Sequence, residues 1–203
     1  MNSVNLTRTE AVERSRMIEV GHYDVTLDLK YSDTHFLSTT KVSFTSREIG
    51  STFIDLRAEE IQEVRLNGNP LPTNSYNPTY GIPLSGLQVA DYTLEVTAKI
   101  PYSRTGEGLH RFVDPADDKV YLYTQFETAD AKRVFACFDQ PDMKATYALH
   151  FNAPEDWTVI SNGPVSWEGD VASTAIDYPL STYLVALCAG PYHEVTDTWR
   201  GEL

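Results

Sequence analysis

Two cysteines in 203 residues, Cys137 and Cys188, are too few for a disulfide framework, and neither stands in a C-x-x-C pair. Both read as small apolar residues at buried positions in a reducing compartment. Long hydrophobic runs are also missing. No stretch could span a bilayer, and the amino-terminal MNSVNLTRTEAVERSR lacks the apolar core of a signal peptide. The expected location is therefore cytoplasmic. Positive charge is scarce: 16 Lys and Arg stand against 29 Asp and Glu, a net charge of −13. With no basic cluster to follow a phosphate backbone, nucleic acid is not an expected partner. The acidity serves solubility. It also gives weak attraction for cationic ligands such as peptide amino termini.

Familiar catalytic patterns are absent as well. There is no G-x-S-x-G elbow for a serine nucleophile and no phosphate-cradling glycine loop. Cys137 has no evident histidine partner in sequence, which argues against a thiol nucleophile. Asp114, Asp117 and Asp118 cluster without the spacing of a calcium loop and read as solvated turn residues. One stretch, His193-Glu194-Val195-Thr196-Asp197, approaches the zinc motif H-E-x-x-H. That motif needs two histidines one helical turn apart. Here the last position is aspartate, and the flanking Gly190-Pro191-Tyr192 suits a strand end. His193 is expected at the surface, and no metal site is expected in this chain.

What is present points to sheet. Hydrophobic residues make up 41% of the chain, enough to build a core, and 12 tyrosines join 11 glycines and 11 prolines. Thr7 and Glu10 form a Thr-x-x-Glu capping box ahead of a short polar helix ending near Met17. From Tyr23 the period is two: Tyr23, Val25, Leu27 and Leu29 alternate with polar residues. Val42 and Phe44 begin a second strand, and residues 53–56 read as a third. Residues 61–66 run into Asn67-Gly68, a hairpin signal, because both residues tolerate positive φ. Pro70, Pro72, Pro78 and Pro83 mark loop and edge strand. Tyr92, Leu94, Val96, Ala98 and Ile100 restore the alternation. Residues 106–118 read as turns, 120–126 as strand, and 129–137 as a short helical turn. Ala145, Tyr147, Leu149 and Phe151 alternate again. Residues 157–160 lead to Asn162-Gly163, a second hairpin signal. The almost continuously apolar 183–189 reads as a strand covered on both faces. With no repeat or linker, the expectation is a single all-β domain over residues 1–203. It would be a large antiparallel β-sandwich or saddle with a short N-terminal helix.

The stretch TQFETADAKRVFACFDQPD, residues 124–142, carries the candidate chemistry. If the strand extends from Val120 to Glu127, Gln125 and Glu127 share one face and Phe126 anchors the other. An amide and a carboxylate would then stand at the edge of a cleft. Spacing alone favours the plainer reading, two ordinary solvent-facing polar residues.

The longer pattern distinguishes these. GEGLHRF at 106–112, VYLYTQFE at 120–127 and ADAKRVFACFDQP at 129–141 together resemble the amino-terminal domain of the aminopeptidase N family of zinc metallopeptidases. MKATY at 143–147, VISNG at 159–163 and YDVTLDL at 23–29 extend the likeness over nearly all of the chain. In style it is closest to bacterial, particularly actinobacterial, members. The resemblance implies a β-saddle packed on a thermolysin-like catalytic domain that carries the zinc, the cofactor of the full-length enzyme. The motifs of that domain do not occur here, and the chain ends about where it would be expected to begin. An excised domain, inactive alone, is thus expected, within an enzyme that removes single N-terminal residues from peptides. The resemblance also assigns roles. Glu127 would bind the α-amino group of the substrate, and Gln125 would line the pocket for the first side chain. It leaves Cys137 and Phe138 as packing residues and Asp139 as a loop-stabilising acceptor. The aromatic content leaves an alternative, a free-standing β-sandwich that binds a ligand such as carbohydrate without catalysis.

Overall fold

Residues 6–195 and 197 are described by a computed structural model of the chain. The helix α1 (Arg8–Met17) begins where the capping box placed it: the Glu10 amide donates to Thr7 Oγ1 at 3.3 Å, and the Thr7 amide donates to Glu10 Oε2 at 2.8 Å. Strands follow in the order β1 (Ile18–Asp28), β2 (His35–Ser46), β3 (Gly50–Ile54), β4 (Glu60–Leu66), β5 (Asn69–Pro70), β6 (Ile82–Leu87) and β7 (Ala90–Pro101). The second half adds β8 (Gly108–Val113), β9 (Val120–Gln125), β10 (Ala145–Asn152), β11 (Thr158–Ser161), β12 (Ser166–Glu168), β13 (Val171–Leu180) and β14 (Leu187–Gly190).

The protein is mostly β with a short N-terminal helix, as the alternation predicted. The strands form an eight-stranded sheet, β12-β13-β10-β1-β2-β7-β4-β5, a four-stranded sheet, β11-β14-β9-β8, and the pair β3-β6. On β1 and β2 the period of two separates Tyr23, Val25, Leu27, Phe36, Val42 and Phe44, all buried, from polar residues on the outer face. The four-stranded sheet lies over the β1/β10 part of the large one: Val25, Leu27, Leu149 and Phe151 meet Phe126, Phe135 and Leu187 there. At Asn67-Gly68 the φ angles are +49° and +75°, and the turn closes the β4–β5 hairpin.

Four expectations are corrected. The sheets are not wholly antiparallel, because β1 and β10 pair in parallel from His22/Thr146 to Asp28/Asn152. The turn-rich 106–118 contains β8, which has little apolar alternation of its own. It is strand because its six residues pair in register with β9. Asn162-Gly163 does not close a hairpin. The Asn162 side chain donates to Leu184 O and accepts from the Ala186 amide, both at 2.8 Å, and β11 pairs with β14. The apolar 183–189 is split between a 3-10 turn, Thr182–Leu184, and β14, with Leu184 46% exposed and Cys188 half-buried.

Candidate functional site

Strand β9 ends at Gln125, one pleat before the predicted limit, and residues 127–130 form a turn. Alternation of burial nevertheless continues: Gln125 is exposed, Phe126 is 2% exposed, and Glu127 is exposed. Phe126 anchors the turn by packing edge-on against Phe135, ring centroids 6.1 Å apart, while its carbonyl accepts from the Asp130 amide at 2.9 Å. The Glu127–Thr128 peptide bond is cis. Arg133 then ties the turn to the neighbouring loop, reaching Asp130 Oδ1 at 2.5 Å and Glu107 Oε2 at 3.0 Å. Its side chain crosses β8 at Gly108. A Cβ built there would lie 2.9 Å from Arg133 Cβ, and φ is +71°. Glycine at 108 therefore serves both the backbone and the crossing. Gln125 sits opposite Gly108 in the β8–β9 register. Neither Gln125 nor Glu127 spends its side chain on a partner among the described residues, so both polar groups remain available.

Beyond the 3-10 turn Ala131–Arg133, residues 134–140 are all buried yet form no regular element. Buried backbone must find partners: Val134, Phe135 and Gln140 donate to carbonyls two to four residues away, and 136–139 find theirs in distant parts of the chain. The Ala136 amide donates to Thr40 Oγ1 (3.2 Å), and the Phe138 amide donates to Tyr23 OH (3.0 Å). Cys137 and Asp55 exchange two backbone bonds of 3.0 and 2.9 Å, and the Asp139 amide donates to Asp55 Oδ2 at 3.0 Å. Helix α1 completes the lock: Arg14, 3% exposed, donates to Gln140 Oε1 at 2.6 Å and Asp55 Oδ2 at 2.7 Å and lies 4.7 Å from the Phe53 ring centre. Residues 136–140, which follow the turn carrying Glu127, are thus stapled to the large sheet, to Asp55 and to α1.

Asp139 accepts from the Thr182 hydroxyl at 2.8 Å and from the Lys132 amide at 3.3 Å. The acceptor role implied for it holds. Burial pushes its carboxyl above the ordinary range, partly countered by those donors and by Lys132. A raised folded-state pKa means the folded protein holds this proton more tightly than the unfolded chain. The contribution is full below the ordinary aspartate value and is lost as pH rises through the raised one. Asp139→Asn should remove that slope: in urea unfolding at several pH values, wild type should lose stability relative to the variant as pH climbs above about 4. Parallel stability–pH curves would contradict it.

Burial, with Asp139 and Asp55 nearby, pushes the Cys137 thiol well up, and burial raises that of Cys188. Neither is primed as a nucleophile. Cys188 is only half-buried, which corrects the expectation of two interior thiols. His193 is exposed just past β14, and residues 191–195 are not helical; Thr196 lies outside the described residues. Among the described residues no group of three or more His, Cys, Asp or Glu could hold a metal ion. The zinc implied by the family resemblance has no fitting donor set among these residues.

The outer face of the four-stranded sheet was not singled out by sequence. One registered row crosses it, Ile160 opposite Cys188, Cys188 opposite Tyr123, Tyr123 opposite His110. Tyr121, Phe112 and Gln125 share that face by parity, while Val159, Leu187, Ala189, Leu122 and Leu109 point into the core. Ile160 is 57% exposed, Phe112 45% and Tyr123 39%. The signal was present in the parity of Tyr121, Tyr123 and Gln125, an apolar run ending in an amide. Tyr192 packs on Tyr121 with ring centroids 5.0 Å apart, so the chain leaves β14 along this face.

The sequence profile of the peptidase M1 N-terminal domain matches residues 20–184. The chain is 47% identical over 204 aligned residues to an aminopeptidase N of Streptomyces lividans, covering 98% of this chain and 24% of that protein. It is 37% identical to an aminopeptidase N of Acetobacter pasteurianus over 51% of this chain and 32% of the relative. It is 32% identical to a glutamyl aminopeptidase of Sus scrofa over 58% of this chain and 13% of the relative. The chain thus spans a third or less of the length of each of these proteins. It belongs to the peptidase M1 N-terminal domain family.

Proposed function

We propose that residues 1–203 are the substrate-gating domain of a zinc-dependent aminopeptidase that removes single N-terminal residues from peptides. Glu127 supplies the carboxylate for the substrate α-ammonium, and Gln125 lines the pocket for the first side chain. The metal and the hydrolytic step belong to another domain of the same polypeptide, and this part alone is catalytically silent. The observation that carries the reading is the placement of Gln125 and Glu127. Both are exposed and, among the described residues, without a side-chain partner: Gln125 ends the aromatic sheet face, and Glu127 opens the turn anchored by Phe126 and Arg133. A carboxylate held rigidly beside a docking surface can make a charge-assisted hydrogen bond to an ammonium. Fixing the ammonium fixes which peptide bond lies at the reacting centre, and such positioning is itself catalytic.

The occupant of the sheet face is the catalytic domain. The chain covers 24% of the Streptomyces relative, and the backbone after β14 runs along this face through Tyr192 and His193. Ile160→Glu tests the assignment. In residues 1–203 alone the change should alter unfolding free energy by no more than about 0.5 kcal/mol, as at an ordinary exposed position. In the full-length enzyme it should lower the unfolding temperature and the activity. A full-length variant indistinguishable from wild type would remove this face from the interface.

A further inference from the structure

Apart from the Gln125–Glu127 site, the molecule has a cavity of about 520 Å³ between the end of β7, the edge strand β8 and the loop after β3. Its walls include the buried side chains of Ile100, Tyr102 and Leu109, so it has an apolar floor. Five charged residues line it, and three are already engaged. Glu59 receives Lys99 at 2.6 Å and His35 at 2.8 Å, while Glu107 receives Arg133, itself also held by Asp130. The remaining two are Arg57 and Arg104, and among the described residues neither guanidinium has an ion-pair or hydrogen-bond partner. Arg57 is half-buried and is held in place by its backbone, whose amide donates to Lys132 O at 2.7 Å. In a chain with 29 acidic and 16 basic residues carboxylates are abundant, yet none among the described residues pairs with these two arginines.

We infer that this cavity is a binding site for a small organic carboxylate with an apolar body, the carboxylate taken by Arg57 and Arg104 and the body seated on Tyr102, Ile100 and Leu109. A guanidinium presents a planar fork that matches a carboxylate with two parallel hydrogen bonds. The floor discriminates against a fully hydrated inorganic ion, which would leave apolar surface uncovered and surrender its water without return. Neither Gln125 nor Glu127 lines it, although Arg133, which ties down the Glu127 turn, forms part of its wall.

The experiment titrates residues 1–203 with N-acetylphenylalanine, with N-acetylphenylalaninamide and with inorganic phosphate, followed by calorimetry and by amide NMR shifts. The carboxylate is expected to bind saturably and to shift residues 57, 102, 104 and 109. The amide and phosphate should each bind at least tenfold more weakly. Arg57→Gln/Arg104→Gln should abolish the binding and leave the thermal unfolding temperature unchanged. Equal binding of amide and carboxylate, phosphate binding as tight as the carboxylate, or binding that survives in the double variant would each overturn the assignment, as would no saturable binding at all. Because the readout is binding and not peptide turnover, its failure leaves the aminopeptidase reading where it stood, and the reverse holds too.

Discussion

Arg14→Ala is expected to destabilise the protein by about 3–5 kcal/mol, the range for removing one partner of a buried ion pair. Two acceptors lose the guanidinium at once, Gln140 Oε1 at 2.6 Å and Asp55 Oδ2 at 2.7 Å; Asp55 keeps only the Asp139 amide on that oxygen, and its side chain is only 13% exposed. Packing on Phe53 is lost as well. For a domain of this size the unfolding temperature should fall by roughly 10 °C. The effect should not stop at the helix. Asp55 also holds the Asp139 amide and, through its backbone, Cys137, so 134–140 should loosen first and show faster amide exchange there than in β1 or β2. Arg14→Lys keeps a charge but cannot serve Gln140 and Asp55 with one fork, and it should fall between wild type and alanine. A loss below 1 kcal/mol in urea unfolding would show that the helix docks by its apolar residues alone.

Glu127→Ala in the full-length enzyme should weaken transition-state binding of substrates with a free amino group by about 2–5 kcal/mol, because an ammonium drawn out of water loses an opposite charge. In kcat/KM this is roughly 30-fold to several thousand-fold. The comparison is clean because Glu127 is exposed and makes no side-chain bond among the described residues, so folding should change by no more than about 0.5 kcal/mol. Substrates with a blocked amino group should be affected far less. A peptide α-amine loses its proton near pH 8, so wild-type capture of the ammonium should weaken above that pH and the variant should show a flatter limb. Equal losses on free and blocked substrates would place Glu127 in folding and not in recognition.

Much of this arrangement was legible from short-range pattern. Thr7 and Glu10 are three residues apart and formed the cap; Tyr23, Val25 and Leu27 are two apart and formed a buried strand face; Asn67-Gly68 turned the chain where it stood. Gln125, Phe126 and Glu127 alternated as read, even though the strand stopped earlier than expected. Each of these rests on backbone sterics or on the period of one element, which a residue and its near neighbours determine.

Arg14 was unremarkable as one charge in a polar helix, and became a buried crosspiece only because Gln140, 126 residues away, and Asp55, 41 residues away, meet it. Likewise Thr40, Tyr23 and Asp55 acquired their roles from a buried segment that has no ladder of its own. Strand β8 exists through its pairing with β9, and β11 found β14 instead of the next strand because Asn162 bonded elsewhere. Local chemistry thus determined most of the elements, the Asn67-Gly68 turn and the alternation through 125–127. Only the tertiary structure decided which strands pair, which charge is buried and which sheet face stays open, because those outcomes depend on satisfying buried polar groups with partners that no short window of sequence contains.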